Sequence, residues 1–322
     1  MDRKKVVVIG GGTGNFVVLN GLKNYDVSLS AIVSMADNGG STGILRDELG
    51  VLPPGDVRQC LVALSNSTIL MRSLINYRFE KGNLKGHSFG NLLLSALEKV
   101  TGSFETAVEE AGKILAIKGN VIPVTTNRVH LKMILNNRKI LEDEEEIYLS
   151  KEIDQGVKSI YLEPYPKVNP HVLTAIRDAD LIVIGPGGMY TSIIPNLLVE
   201  GVVKALKKTK AKKVFVVNLM NRIGQTTGYK LSDNLKVLSP YFEDGFFDYI
   251  LMNKTNPPEE LLQMYSEEGE IIENDMDDPR IIMADLLGAL EKMKKNDLLK
   301  RNLIRHDSEK LAKELMKIVH NF

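Results

Sequence analysis

The sequence predicts an α/β protein of Rossmann-like, three-layer αβα architecture with a mainly parallel sheet, and three observations carry that prediction. Val6–Ile9 is a short, unbroken, mostly β-branched run, the pattern of a strand buried on both faces. It runs straight into Gly10-Gly11-Gly12-Thr13-Gly14, after which Phe16, Val17, Leu19 and Leu22 recur at helical spacing. The same order of signals returns at Leu181–Ile184, which leads into Gly185-Pro186-Gly187-Gly188-Met189-Tyr190-Thr191-Ser192.

In chain order, Leu29–Ser34 reads as the second strand of a β–α–β unit, right-handed and with its loops at the strand C-termini. Ala36–Gly43 is polar and glycine-rich and reads as a loop, as does Val51–Arg58. Pro53 and Pro54 block a preceding helix, and Asp56 is placed to cap one running through Leu61, Val62 and Leu64. Further helices are expected from near His87–Asn91 through Val100, and over Phe104–Ala116. Val121–Val124, Val129–Leu135, Ile140–Leu141 and Ile147–Leu149 alternate with polar residues and read as hairpin strands, with Glu142–Glu146 as a solvated acidic turn. Val214–Val217 and Tyr249–Leu251 are two more strands. Ile281–Lys294 and Leu298–Val319 read as amphipathic outer helices. The expectation is a single domain over 1–322, with a β-rich insertion at about 118–165 and a helical C-terminal region at about 275–322.

Bulk composition narrows the function classes. The 322 residues are 43% hydrophobic and 25% charged, which excludes a disordered chain. Lys+Arg and Asp+Glu balance at 41 each, so no nucleic-acid partner is expected from global charge. Cys60 is the single cysteine, which excludes an intrachain disulfide and a cysteine zinc site. Four apolar residues after Lys5 are too few for a signal peptide, and the sequence has no apolar run long enough for a membrane span. A cytoplasmic location is expected.

Several groups carry candidate chemistry. In the first turn, Gly11, Gly12, Thr13, Gly14 and Asn15 would let backbone N–H groups and a helix N-terminus meet a phosphate. The spacing is not a dinucleotide fingerprint, because the third glycine position falls on Val17 or Asn15; nor is it a Walker A loop. Asp37 has three readings: a ribose-binding acid, a ligand for a hard cation such as Mg²⁺, or a turn former within Asp37-Asn38-Gly39-Gly40-Ser41. Asp56 is either an N-cap or an acid at a ligand mouth. Arg58 in the same helical turn opposes the helix dipole, which an anionic ligand would explain. His87, Ser88 and Asn91 cluster at another helix opening, where the imidazole is either structural or a proton carrier. The second turn adds Gly185, Gly187, Gly188, Tyr190, Thr191 and Ser192, and would open on the same sheet edge as the first. Cys60, between Gln59 and Leu61, reads as packing.

Five segments in series resemble a known family: Ile9–Gly14, Ala36–Gly43, Pro53–Arg58, Gly86–Leu92 and Ile184–Asn196. The chain resembles the gluconeogenesis factor (YvcK-like) group, which is similar to the 2-phospho-L-lactate transferases (CofD), from Val6 to about Leu251. The resemblance implies a Rossmann-like fold with a modified second half and a cytoplasmic factor linked to cell shape and envelope synthesis on gluconeogenic carbon. It also implies binding of UDP-sugars such as UDP-N-acetylglucosamine. Its transferase relatives imply Mg²⁺ held by the acid that corresponds to Asp37, and by the same pattern Asn196 and Asn218 join the nucleotide site. Departures are Asn38 where a second acid is common, Gly188 where a serine is common, and Arg222-Ile223-Gly224-Gln225.

Two function classes follow. The first is a nucleotide-sugar-binding factor without turnover. The second is a metal-dependent transferase using a nucleoside diphosphate donor, with Asp37, Asp56 and His87 as its catalytic groups. A Rossmann oxidoreductase is disfavoured by the glycine spacing. The apolar helices around Leu61–Leu64 and Leu92–Leu97 suit either the core or a homodimer interface.

Overall fold

The computed structural model describes residues 3–288 and 304–321. Strand β1 (Lys4–Gly10) has Val6–Ile9 fully enclosed, and helix α1 (Thr13–Leu22) leads to β2 (Val27–Val33), which pairs with β1 in parallel register, Val6 opposite Leu29. Next come α2 (Gly40–Leu49), α3 (Gly55–Leu64), α4 (Ile69–Asn76), α5 (Phe89–Thr101) and α6 (Phe104–Ile114). The stretch expected to be a loop after Ala36 thus contains α2. Its glycine- and hydroxyl-rich first turn hides the helical pattern, but Leu45 and Arg46 are buried and Gly50 closes it in the left-handed conformation. Neither was α4 legible, since Ile75 is its one buried side chain. Leu61–Leu64 lies in the core, and Leu93 and Leu97 pack against it.

β3 (Asn120–Pro123) corrects the hairpin expectation for Val121–Val124: it is a parallel strand of the main sheet, Val121 opposite Ala31. Four apolar residues do not encode the direction of their partner. The small antiparallel sheet consists of β4 (His130–Leu135), β5 (Ile140–Leu141) and β6 (Val157–Glu163), in the order β5-β4-β6. Between β5 and β6, α7 (Glu144–Leu149) replaces both the expected strand at Ile147–Leu149 and the solvated turn at Glu142–Glu146. Asp143 caps it by accepting the Glu146 N–H at 2.8 Å, and the acidic run complements the helix N-terminus.

The second half runs α8 (Pro170–Asp178), β7 (Leu181–Ile184), one π-helical turn at Met189–Ile193, α9 (Ile194–Leu197), α10 (Val202–Lys208) and β8 (Lys212–Val216). It continues with α11 (Leu231–Leu238), β9 (Tyr249–Asn253), α12 (Glu259–Tyr265), β10 (Ile281–Ala284) and α13 (Ser308–His320). β10 corrects the start of the helix expected over Ile281–Lys294; it pairs in parallel with β9, Ile281 opposite Ile250. Residues 289–294 of that expectation, and 298–303 of the last one, lie outside the described residues. α13 begins at Ser308, where Asp307 caps it.

The main sheet has the order β10-β9-β8-β7-β1-β2-β3, with every pairing parallel. Crossovers on one side of β1 progress in the opposite sense to those on the other. Right-handed connections therefore put α1 and α8 on opposite faces, which gives the three layers. The strand order reverses between β1 and β7, and at such a point the loops leaving the two strands diverge and leave a crevice. The two glycine turns are the loops leaving those two strands.

Candidate functional site

The two turns touch. A Cβ on Gly14 would overlap the Pro186 carbonyl oxygen, and one on Gly11 would lie 2.6 Å from Ser192 Oγ and 2.9 Å from Asp56 Oδ2. Glycine is thus required by close approach rather than by dihedral angles. The second turn is pinned to the first strand by the Gly185 N–H, which donates to the Ile9 carbonyl at 3.1 Å. The following Gly185-Pro186 peptide is cis.

Several asparagines expected to touch ligand make bonds that hold this frame. Asn218 brackets Gly187, accepting its N–H at 2.9 Å and donating to its carbonyl at 2.8 Å. Asn196 is fully buried and donates to the carbonyls of Gly10 at 3.0 Å and Ser192 at 2.8 Å. Asn15 is fully buried and faces the Ile32 carbonyl. Tyr190 and Thr191 are buried, with the Tyr190 hydroxyl paired to Tyr229 and Thr191 Oγ1 directly beneath Gly188. Burial pushes the Tyr190 phenol up, so it stays neutral.

Glycine at both N-caps, Gly12 of α1 and Gly39 of α2, brings no capping side chain of its own, and the acceptors at these two helix starts are carboxylates from elsewhere in the chain. Thr13 Oγ1 instead donates to Gln59 Oε1 at 3.0 Å. Asp56 is not the N-cap of α3, a position held by Pro54; its carboxylate reaches across to accept from the Gly12 backbone. Asp37 accepts from the Gly39 N–H at 3.0 Å and from the Thr42 hydroxyl, and its Oδ2 lies close to Gly55. The Gly40 backbone is exposed beside them.

Three carboxylates converge at this edge. Burial, then the charge of Asp37, pushes Asp56 up to about 8. Burial also raises Asp37, although Gly39, Thr42, Arg46 and Arg58 oppose the shift. The third acid, Glu144 of α7, is pushed up to about 9 by burial and by the charges of Asp37 and Asp56. Sequence reading missed Glu144. The Asp143-x-x-Glu146 capping pattern signals the helix that carries it, but not where that helix lies. α7 is fixed at both ends. The Glu145 N–H donates to Asn38 Oδ1 at 2.8 Å, while Gln225 Nε2 donates to the Ile147 and Tyr148 carbonyls and the Arg222 guanidinium stacks 3.5 Å from the Tyr148 ring centroid.

A polar relay runs along the other side. Arg58 Nε donates to Asn91 Oδ1 at 2.9 Å and Nη1 to Asn76 Oδ1 at 2.6 Å. Asn91 Nδ2 donates to Ser41 Oγ at 3.2 Å, and Ser41 Oγ pairs with His87 Nδ1 at 3.0 Å. Ser88 caps α5 through the Asn91 N–H. Cys60 is buried beneath Gly11 with its thiol pushed up by burial and by Asp56, so it is an inert packing residue.

Residues 6–293 match the family described as 2-phospho-L-lactate transferase CofD. The chain belongs to that family, among the gluconeogenesis factors. It is 39% identical to the gluconeogenesis factor of Bacillus subtilis over 99% of both chains. A Thermotoga maritima relative is 43% identical, covering 98% of this chain and 99% of its own. The crystal structure of a UPF0052 family member from Bacillus halodurans superposes with a TM-score of 0.88 at 37% identity, covering 98% of this chain and 99% of that one. The CofD family relationship brings a nucleotide-type ligand into view for a crevice that already has two glycine turns and two helix starts with glycine N-caps. Among the described residues, no helix is long and apolar enough to cross a membrane.

Proposed function

We propose that this chain binds a nucleoside diphosphate-type ligand, of the nucleotide-sugar class represented by UDP-N-acetylglucosamine, across the crevice between Gly10–Gly14 and Gly185–Ser192. The contact of these two turns at the strand-order reversal carries the reading. Backbone N–H groups of Thr13 and Gly14 suit phosphate oxygens, and Arg58 offers a fixed cation nearby. The role we assign is a cytoplasmic binding factor that ties gluconeogenic growth to envelope synthesis and cell shape; the name gluconeogenesis factor, carried by its relatives, supports the gluconeogenic part of that role.

Asp37 and Asp56 fit a hard dication such as Mg²⁺, because each carboxylate is raised by burial that such an ion would offset. They would hold it, with Thr42 and Glu144 at the border. Among the described residues no three acidic, histidine or cysteine groups form a metal cluster. When bound, the ion would neutralise phosphate charge.

One observation favours a second reading, a transferase of the CofD type. The relay from His87 through Ser41 and Asn91 to Arg58 lines up a proton carrier, a hydroxyl and a cation beside Asp37. An acceptor alcohol would attack phosphorus, its proton passing to His87. The new P–O bond forms as the bond to the nucleoside monophosphate breaks, with Arg58 and backbone N–H groups stabilising the charge. Calorimetry with UDP-N-acetylglucosamine tests the first reading, and absence of heat at millimolar ligand removes it. Metal-dependent release of nucleoside monophosphate from diphosphate donors tests the second, and its absence across uridine and guanosine donors removes that.

A further inference from the structure

We propose that α7 is a lid over the crevice, hinged on the 222–227 loop and latched at Asn38, and that Glu144 is the residue by which a bound dication holds it shut. Topology puts this helix across the opening. Its first turn meets Asn38, on the loop leaving β2, and it packs against the Met189–Ile193 turn, on the connection leaving β7. β1 lies between β2 and β7 in the sheet, so a helix that reaches both connections passes over the end of β1, where the first glycine turn opens. The length fits: a helix of six residues runs about 9 Å, and two strand spacings come to about 9–10 Å.

The two ends of the lid are held unequally. On the second wall, Gln225 Nε2 donates to the Ile147 and Tyr148 carbonyls at 3.0 and 2.9 Å, and the Arg222 guanidinium lies on the Tyr148 ring. Just beyond α7, the Ile153 and Asp154 N–H groups both donate to the Gly224 carbonyl, and Thr227 Oγ1 donates to Asp154 Oδ2 at 2.8 Å. Gly224 sits so close to Lys151 that a Cβ there would overlap its Cα. These contacts make α7 and the 222–227 loop one body. On the first wall, among the described residues, α7 has a single hydrogen bond, from the Glu145 N–H to Asn38. Latching brings Glu144 up to the charges of Asp37 and Asp56, and no hydrogen bond or ion pair of its carboxylate among the described residues offsets that approach. With a dication on Asp37 and Asp56 the same approach becomes favourable. Among the described residues the three acids do not form a metal cluster, so the last approach of Glu144 remains for the ion to complete. The inference rests on the ion reading above and deepens it by giving Glu144 a place in it.

Hydrogen exchange of the full chain over 144–149 and over 222–227 tests the lid, with Mg²⁺ alone as the probe. Mg²⁺ at about ten times its dissociation constant should slow 144–149 about tenfold and change 222–227 little. Asn38→Ala should speed 144–149 about fivefold, the worth of one hydrogen bond, and leave 222–227 as in wild type, whereas Gln225→Ala should speed both. Glu144→Gln keeps the shape of the side chain; it should slow 144–149 without Mg²⁺ and abolish the response to the ion. Unchanged exchange over 6–9 shows that each variant keeps its fold. Equilibrium dialysis keeps two failures apart. Mg²⁺ that binds but leaves exchange over 144–149 unchanged overturns the lid alone, as does a Glu144→Gln variant that responds to Mg²⁺ like wild type. No Mg²⁺ binding overturns the ion reading and the lid with it.

Discussion

The Asn38 side-chain oxygen accepts the Glu145 backbone N–H at 2.8 Å, joining the acidic turn after β2 to a helix more than a hundred residues away. This single bond ties the first turn of α7, and so Glu144, to the same loop as Asp37. Asn38→Ala should lower stability by about 1 kcal/mol and speed hydrogen exchange over 144–149. Asn38→Asp keeps an acceptor but adds a negative charge beside three raised acids. It should therefore be less stable than wild type without Mg²⁺ and regain the difference with it. Thermal melts of both variants with and without the ion check this.

Gly14→Ala puts a methyl group where the Pro186 carbonyl lies. The two turns must separate, at a cost of about 1–3 kcal/mol or more. Urea unfolding should show the loss, and calorimetry with UDP-N-acetylglucosamine should show at least a tenfold weaker complex. Wild-type affinity in this variant would mean that the turns do not share the ligand.

The raised acids set a pH dependence. Asp56 and Glu144 titrate near 8 and 9 in the folded chain but near 4 when it unfolds, so the folded form retains protons that the unfolded form has released. Their contribution is fully present below about pH 4 and is lost as pH rises through 8 to 9, at about 1.4 kcal/mol per pH unit for each extra proton held. His306, buried and held near 4, works in the opposite sense up to about pH 6.5. The clear window is therefore pH 7 to 9, where stability should fall with pH. Saturating Mg²⁺ should flatten that slope and release protons into a weakly buffered solution, readable with a pH indicator.

Arg58→Lys keeps the charge but cannot reproduce donors to Asn91 and Asn76 together. Loss of the two bonds should cost about 1–3 kcal/mol. It should weaken ligand binding more than Lys99→Ala, an exposed control on α5. Differential scanning fluorimetry with and without ligand separates the two effects.

Much of this arrangement was legible before the fold was known. Val6–Ile9 and Leu181–Ile184 are apolar at every position because both faces are covered, and that continuity is visible in a sequence. Asp37 shortly precedes Gly39-Gly40, and Asp56 and Arg58 lie in the first turn of a helix, so their local setting announces them. Glu144 does not: it reaches the crevice only because the small antiparallel sheet folds back, and no local pattern encodes that return. The framework bonds of Asn196 and Asn218 are equally invisible in the sequence. Asparagine beside a glycine turn reads equally as ligand contact or as backbone clamp, and the clamp shows only in the observed bonds to Gly10 and Gly187. β3 was legible as a strand but not as a parallel one, because a short run carries no record of which strand it joins, and β10 lies where the pattern reads as a helix.

The pairing of Val6 with Leu181 also governs when the crevice can exist. During synthesis the first glycine turn leaves the ribosome early, but its opposite wall is roughly 170 residues behind, many seconds at ordinary elongation rates. Until then the β7-facing edge of β1 is open along its apolar Val6–Ile9 segment, a template for wrong pairing. A chaperone-dependent nascent chain, with ligand able to bind only after β7 emerges, is the expected biogenesis of this fold.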